Sequence, residues 1–328
     1  MIISRTPFRV SFFGGGTDYP AWYRKEVGMV LSTTIDKYCY LTCRKLPPFW
    51  EYTIRIVYTQ TELVNQIDEI KHPAVRETLR YLNLDGGIEI HHAADLPARS
   101  GLGASSTFVV GLLHILRVFQ GSTPDKLDLA QTAIHIERDC IKEAVGSQDQ
   151  TATSFGGLNH ITFSGDDEIQ VNPISLESER LSALESHLML YFTGLFRNAP
   201  EIAAQQIKEM DQHTSTLIQM RQMVEEAIQI LVTDDRLEAF GKLLHESWQL
   251  KKTLTKGITN PTIEEIYEAA RGAGALGGKV LGAGGGGFIL FFVPAENQPK
   301  VRERLSKLIK VPFRFEHSGT QIILNDHR

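Results

Sequence analysis

Cysteine is scarce in this chain, three residues in 328, and Cys39, Cys43 and Cys140 form an odd count without paired spacing. Neither a disulfide framework nor a CxxC metal site is expected; reduced thiols in a cytoplasmic protein are. Long apolar runs are also missing. The longest, residues 288–294, falls far short of the roughly 20 residues that cross a bilayer. The apolar stretch at the N-terminus is broken by Arg5 and Arg9, unlike the uninterrupted apolar region of a signal peptide. Nor is there a surplus of positive charge: 34 Lys and Arg face 39 Asp and Glu, a formal net charge of −5. Such a chain supplies no basic field for nucleic acid or an anionic membrane. Any phosphate it holds must be gripped locally, and the expected partner is a small molecule.

The rest of the composition, 42% hydrophobic and 22% charged, is that of an ordinary globular protein, and the length suits about two domains. Residues 2–13 and 30–44 are rich in Ile, Val, Phe, Tyr and Thr and predict strands, with a turn at the triple glycine 14–16. Residues 87–93 predict a third strand. A Gly-rich loop follows it, and then residues 105–119 place apolar side chains at helical spacing. Thr123-Pro124 signals a helix start, and residues 127–144 keep helical period until Gly146. A polar stretch near 164–185 with little periodicity marks the expected junction between domains 1–185 and 186–328. Beyond it the pattern predicts a strand at 188–192, helices over 199–232 and 236–254, and a helix opened by Asn260-Pro261. Short strands at 279–281 and 288–293, a helix over 299–309 and strand-like material over 311–324 complete an α+β chain. His91 and His92 read as strand residues, His135 as helix packing, and Leu217, Met220, Met223 and Val224 as a core stripe.

Three glycine-rich loops stand out. LPARSGLGASS, residues 96–106, lies between a predicted strand and a predicted helix, where backbone N–H groups and the helix N-terminus can cradle phosphate. It is not a Walker A loop, because no GK[ST] ending follows. GAGGGG at 282–287 matches GxGxxG, but a strand-like FILFFV follows it where a dinucleotide fingerprint must open a helix. A glycine loop between two strands instead suits backbone packed closely against a ligand or another loop. FGGGTDY, residues 13–19, sets a hydroxyl, a carboxylate and a phenol beside flexible backbone, a combination suited to sugar hydroxyls.

In this order and spacing the three loops resemble the GHMP kinase superfamily, named for galactokinase, homoserine kinase, mevalonate kinase and phosphomevalonate kinase. The motifs are PFRVSFFGGGTDYP (7–20), PARSGLGASS (97–106) and LGAGGGGF (281–288), and the resemblance runs over essentially the whole chain. It implies the GHMP kinase fold: an N-terminal ribosomal-protein-S5-domain-2-like domain and a C-terminal ferredoxin-like α+β domain. Within the superfamily, GGGTDYP, ERDCIKEAVGSQDQ and YFTGLFRNA look most like the D-glycero-D-manno-heptose 7-phosphate kinases. That branch phosphorylates the anomeric hydroxyl with ATP to give the 1,7-bisphosphate, for nucleotide-activated heptose used in surface polysaccharide. Galactokinases carry Gly-Glu-His-Thr-Asp-Tyr, whereas here Gly15 and Gly16 stand for the Glu and His, leaving room for a longer, anionic substrate.

The resemblance also implies roles. Asp149 takes the catalytic carboxylate position near the accepting hydroxyl, as base or electrostatic anchor, and Arg9 takes the motif-one cation. Pro97, Ser100, Gly101, Leu102, Gly103, Ala104, Ser105 and Ser106 form the ATP loop. Ser105 and Glu137 are the expected Mg2+ ligands, with Glu143 a rival for Glu137. Gly15, Gly16, Thr17, Asp18 and Tyr19, with Gly284 and Gly285, are the expected sugar contacts. Arg197, before a predicted helix start, is the expected grip on a 7-phosphate. Kinases of unphosphorylated fucose- or galactose-like sugars and a catalytically silent sugar- and ATP-binding regulator remain alternatives. A diphosphate decarboxylase is disfavoured by TDYP, and a homodimer is compatible with the pattern.

Overall fold

The computed structural model describes residues 1–98, 100–195, 199–233 and 236–326. The first strand, Ile2–Phe13, alternates buried and half-buried residues at its start and then buries every side chain from Thr6 to Phe13. Its second half is therefore covered on both faces, as its unbroken PFRVSFF pattern requires. It pairs antiparallel with Gly28–Lys45, an 18-residue strand that organises a nine-stranded sheet. Residues 28–33 of that strand bind Leu158–Ser164, residues 39–45 bind Ile88–Ala94, and Ile35 and Thr34 meet Phe315–Glu316. Ile54–Val57 and Thr61–Val64 extend one side, Glu168–Pro173 pairs with Leu158–Ser164, and Gln321–Asn325 pairs with the first strand. All of these pairings are antiparallel except Ile54–Val57 with Ile88–Ala94.

A second, fully antiparallel sheet runs Ile309–Val311, Leu188–Phe192, Phe288–Phe292, Gly277–Val280. The α+β class is as expected, but the sheets do not divide the chain at 185/186. Phe315–Glu316 and Gln321–Asn325 return to the first sheet, so segment 186–328 gives its last strands to the other half. The halves also share one core: Phe12 and Phe13 meet Phe240 edge-on at ring separations of 5.5 and 5.1 Å. Aromatic pairs in this arrangement add stabilisation beyond their burial, here across the boundary between the halves.

Several expected boundaries move. The helix expected over 127–144 is α-helical only over Lys126–His135, passes into a wide π turn, Ile136–Cys140, and then ends. Lys142 has φ +65°, a conformation that a helix cannot continue through. The expected helix 199–232 breaks at a 3-10 turn, Met210–His213, into Ala199–Glu209 and Thr214–Thr233. The polar stretch 164–185 holds an exposed edge strand and the helix Ser178–His187. The helix expected over 299–309 is only Gln298–Arg304. Asn260 caps Pro261–Gly272 as its residue type predicts, accepting from the Ile263 N–H at 3.0 Å. Leu217, Met220, Met223 and Val224 are buried. His135 ends the helix Lys126–His135; its side chain is about half exposed, its ring lies 5.7 Å from that of Tyr81 at the end of the helix Pro73–Tyr81, and it pairs with Asp139 at 2.9 Å.

Candidate active site

The loop after Ile88–Ala94 ends at Gly103, whose φ of +77° places it as the N-cap of the helix Ala104–Phe119, with no side chain capping the helix. The first-turn N–H groups of this 16-residue helix are thus left for a ligand. Gly101, Gly103, Ala104, Ser105 and Ser106 line a cleft of about 290 Å³ there. The loop is fixed from behind: the Leu102 carbonyl accepts from the Arg9 N–H at 3.2 Å, and the Ser100 carbonyl from the Phe288 N–H at 3.0 Å. Leu102 is buried and Pro97 exposed, and neither reaches the cleft wall.

Arg9 comes from the doubly covered part of the first strand and is 2% exposed. Its Nε donates to Asp149 Oδ1 at 2.7 Å and its Nη2 to Oδ2 at 2.8 Å, while Nη1 holds the Gly101 carbonyl at 2.9 Å. A bidentate pair of this kind fixes orientation as well as charge. Asp149 sits in the first turn of the helix Gln148–Phe155, not in an open loop. Gly103 lets the two regions touch, since a Cβ there would lie 3.3 Å from Asp149 Oδ2 and 3.4 Å from Arg9 Cγ.

Behind the loop, Glu137 is fully buried at the π turn. Its Oε2 accepts from Ser106 Oγ at 2.7 Å and from the Gln150 amide, while Oε1 has no partner in hydrogen-bonding geometry. Burial pushes its carboxyl up to about 7, against the pull of Ser106, Ser105 and Gln150. Ser105 faces the cleft, and so does Glu143, which lies beyond the helix end rather than on the helix. Ser105 in the wall and an orphaned carboxylate oxygen behind it suit a hard cation that prefers oxygen. Among the described residues no group of three His, Cys, Asp or Glu could hold a metal alone, so such an ion would also need oxygens from a bound ligand.

The expected sugar contacts separate. Thr17 is a turn staple, with its hydroxyl donating to the Gly14 and Met29 carbonyls at 2.8 and 3.0 Å and accepting from the Met29 N–H at 3.0 Å. It is fully buried and does not line the cleft, so the sugar-contact reading is corrected. Asp18 and Tyr19 do line it. Asp18 Oδ1 accepts from the Gly16 N–H at 2.9 Å, and burial raises its carboxyl above the usual value. Gly15 and Gly16 form the adjacent turn, against Gln148 and Gln206 respectively. In the third loop Gly282 and Ala283 line the cleft, not Gly284 and Gly285. Gly284 is packed on Ile258, and the Gly285 N–H donates to the Ile258 carbonyl at 2.7 Å. Arg197 lies outside the described residues.

Sequence reasoning missed Gln148, Gln206 and Lys251 on the cleft wall, and also the buried Lys279 beneath it. Lys279 Nζ donates to the Phe12 carbonyl at 2.8 Å. Burial, with Lys251 and Arg9 nearby, drives its ammonium well below the usual lysine value. Lys279 was visible as a charge inside an apolar strand; the other three lie on helices whose facing partner no local pattern names.

Two family models match this chain, the GHMP kinase N-terminal domain over residues 68–157 and the GHMP kinase C-terminal domain over 223–311, together just over half of it. The chain belongs to the GHMP kinases. Among similar GHMP proteins, the D-glycero-alpha-D-manno-heptose 7-phosphate kinase of Campylobacter jejuni is 29% identical over 320 residues, 93% of each chain. The L-fucokinase/L-fucose-1-P guanylyltransferase of Bacteroides fragilis is 26% identical over 93% of this chain and 36% of its own length. Among solved GHMP structures, a D-glycero-D-manno-heptose 1-phosphate kinase of Bacteroides thetaiotaomicron superposes with a TM-score of 0.81 at 27% identity, covering 99% of both chains. Lactococcus lactis galactokinase complexed with galactose shares the fold, with a TM-score of 0.74 at 19% identity over 98% of this chain and 94% of its own.

Proposed function

We propose that this GHMP-family sugar kinase transfers the γ-phosphoryl group of ATP to the anomeric hydroxyl of D-glycero-D-manno-heptose 7-phosphate, giving the 1,7-bisphosphate and ADP. The observation that carries this reading is the contact of the uncapped helix start at Gly103 with the Arg9–Asp149 pair. It supports the reading because the uncapped helix start and a fixed carboxylate border one cleft. The N–H groups from Gly103 to Ser106 hold the triphosphate tail. Asp149 uses oxygen lone pairs not taken by Arg9 to orient the acceptor hydroxyl, and it receives that proton as the new P–O bond forms and the bond to the ADP oxygen breaks. Arg9 holds Asp149 in place and offsets charge building on the transferred group. Asp18 and Tyr19 face the sugar. Ser105 and Glu137 are the residues that would hold Mg2+, which when bound neutralises charge on the ATP phosphates.

The heptose phosphate assignment draws on the Campylobacter jejuni relative, and its test is direct. The protein is incubated with magnesium ATP and a panel of sugars and sugar phosphates, ADP release is followed, and the product is read by phosphorus NMR. Turnover with heptose 7-phosphate and not with free hexoses supports the proposal; turnover confined to free sugars refutes it. A kinase of an unphosphorylated sugar is the second reading, favoured by the fucokinase relative. A silent regulator is disfavoured because binding alone does not require an Arg9–Asp149 pair.

A further inference from the structure

We infer that the Lys251 ammonium and the Gln206 carboxamide form the acceptor's phosphate subsite. This rests on the proposed sugar phosphate reading and names the residues that make the acceptor's phosphate matter. Both come from helices of the second half, Glu238–Thr253 and Ala199–Glu209, line the cleft, and lie next to Gly15 and Gly16 of the first glycine loop. They are 5% and 3% exposed.

Lys251 Nζ donates to the Gly282 carbonyl at 2.6 Å. A Cβ on Gly15 would lie 3.8 Å from Lys251 Nζ, 3.8 Å from Ser11 Oγ and 3.6 Å from Gln148 Nε2, ordinary van der Waals distances, so the loop backbone packs directly beside these groups. Gln206 Nε2 is buried with no hydrogen-bond partner, and it lies 2.6 Å from where a Gly16 Cβ would be. Ser11 Oγ is likewise buried and unpartnered. Two buried donors without acceptors, Ser11 beside Gly15 and Gln206 beside Gly16, are costly unless a ligand oxygen completes them.

Among the described residues, Arg9 and Lys251 are the two cations on this wall, and Arg9 Nε and Nη2 are committed to Asp149. Asp18, Asp149 and Glu143, the wall's carboxylates, come from the first half. An anionic group would therefore meet the second-half face, at Lys251 and Gln206, while the reacting hydroxyl meets Asp149. A phosphate monoester offers the several acceptor oxygens that such donors need.

The experiment is calorimetric titration, without nucleotide, of the wild type, Lys251→Met, Lys251→Arg and Gln206→Leu with heptose 7-phosphate and with unphosphorylated heptose, alongside ADP-release kinetics. Lys251→Met is expected to weaken heptose 7-phosphate binding at least about thirty-fold, with binding of free heptose and the KM for ATP changed less than about twofold. Gln206→Leu is expected to do the same more weakly, and Lys251→Arg to retain most binding. A thermal shift with ADP verifies that each variant is folded. Equal losses for both sugars, no loss, or a wild type that binds no sugar phosphate would overturn the subsite. Binding that needs Lys251 without any ADP release would keep the subsite and sink the proposed reaction.

Discussion

Replacing Gly103 with alanine tests the contact between the glycine loop that ends at Gly103 and the Arg9–Asp149 pair. At φ +77° an L-residue pays about 1–2 kcal/mol in backbone strain. The added methyl would lie 3.3 Å from Asp149 Oδ2 and 3.4 Å from Arg9 Cγ, closer than such contacts normally come, so the ion pair must shift by a few tenths of an ångström. Small displacements of a positioned catalytic group are amplified in the rate, because an error of about 1 Å can cost 100-fold. The expected outcome for Gly103→Ala is a kcat at least about tenfold lower, with a melting temperature down by about 1.5–3 °C. Gly121→Ala is the control, since Gly121 has φ +82° and nothing within 4 Å of its Cβ position. It should lose similar stability and keep its kcat. Both variants would be followed by ADP release and by thermal melts. Equal kcat values for the two would refute the reasoning.

His114 gives a pH test. Burial lowers its imidazole to about 4, so between the unfolded value near 6.5 and about 4 the unfolded chain takes up a proton that the folded site refuses. Stability contributed by the neutral ring is present above about pH 6.5 and is lost as pH falls through that window, by about 2 kcal/mol after allowance for its partial exposure. His114→Gln should therefore gain on the wild type between pH 7.5 and 4.5 in urea unfolding; a constant difference would contradict this. Lys279 has the same sign in the alkaline range: its ammonium is held well below the usual lysine value, so wild-type stability should rise with pH toward about 10.5. Lys279→Met should lack that rise, and parallel stability curves for the two proteins would show the reasoning to be wrong.

The sequence carried the local features well. The strands flanking the triple glycine, the glycine loop before the apolar helix and the Asn260 cap are short-range patterns, and the structure realises each. The strand expected after GAGGGG is Phe288–Phe292, buried at every residue. What escaped was set by tertiary contact. Nothing local tells that Phe315–Glu316 pairs beside Ile35 and Thr34, since that pairing joins residues far apart in sequence. Glu143 looked like a helix residue until Lys142 turned the chain. Thr17 looked like a ligand contact because its hydroxyl is polar, yet the Gly14 and Met29 carbonyls use it. Lys251 and Gln206 carry no motif; the path of two helices brings them to the cleft.

Asp149→Ala measures the central claim most directly. If the carboxylate held by Arg9 beside Gly103 handles the acceptor hydroxyl, the variant should lose at least about a hundredfold in kcat with heptose 7-phosphate. Its affinity for ATP, measured by titration, should change little. A variant that turns over at close to the wild-type rate would contradict the account.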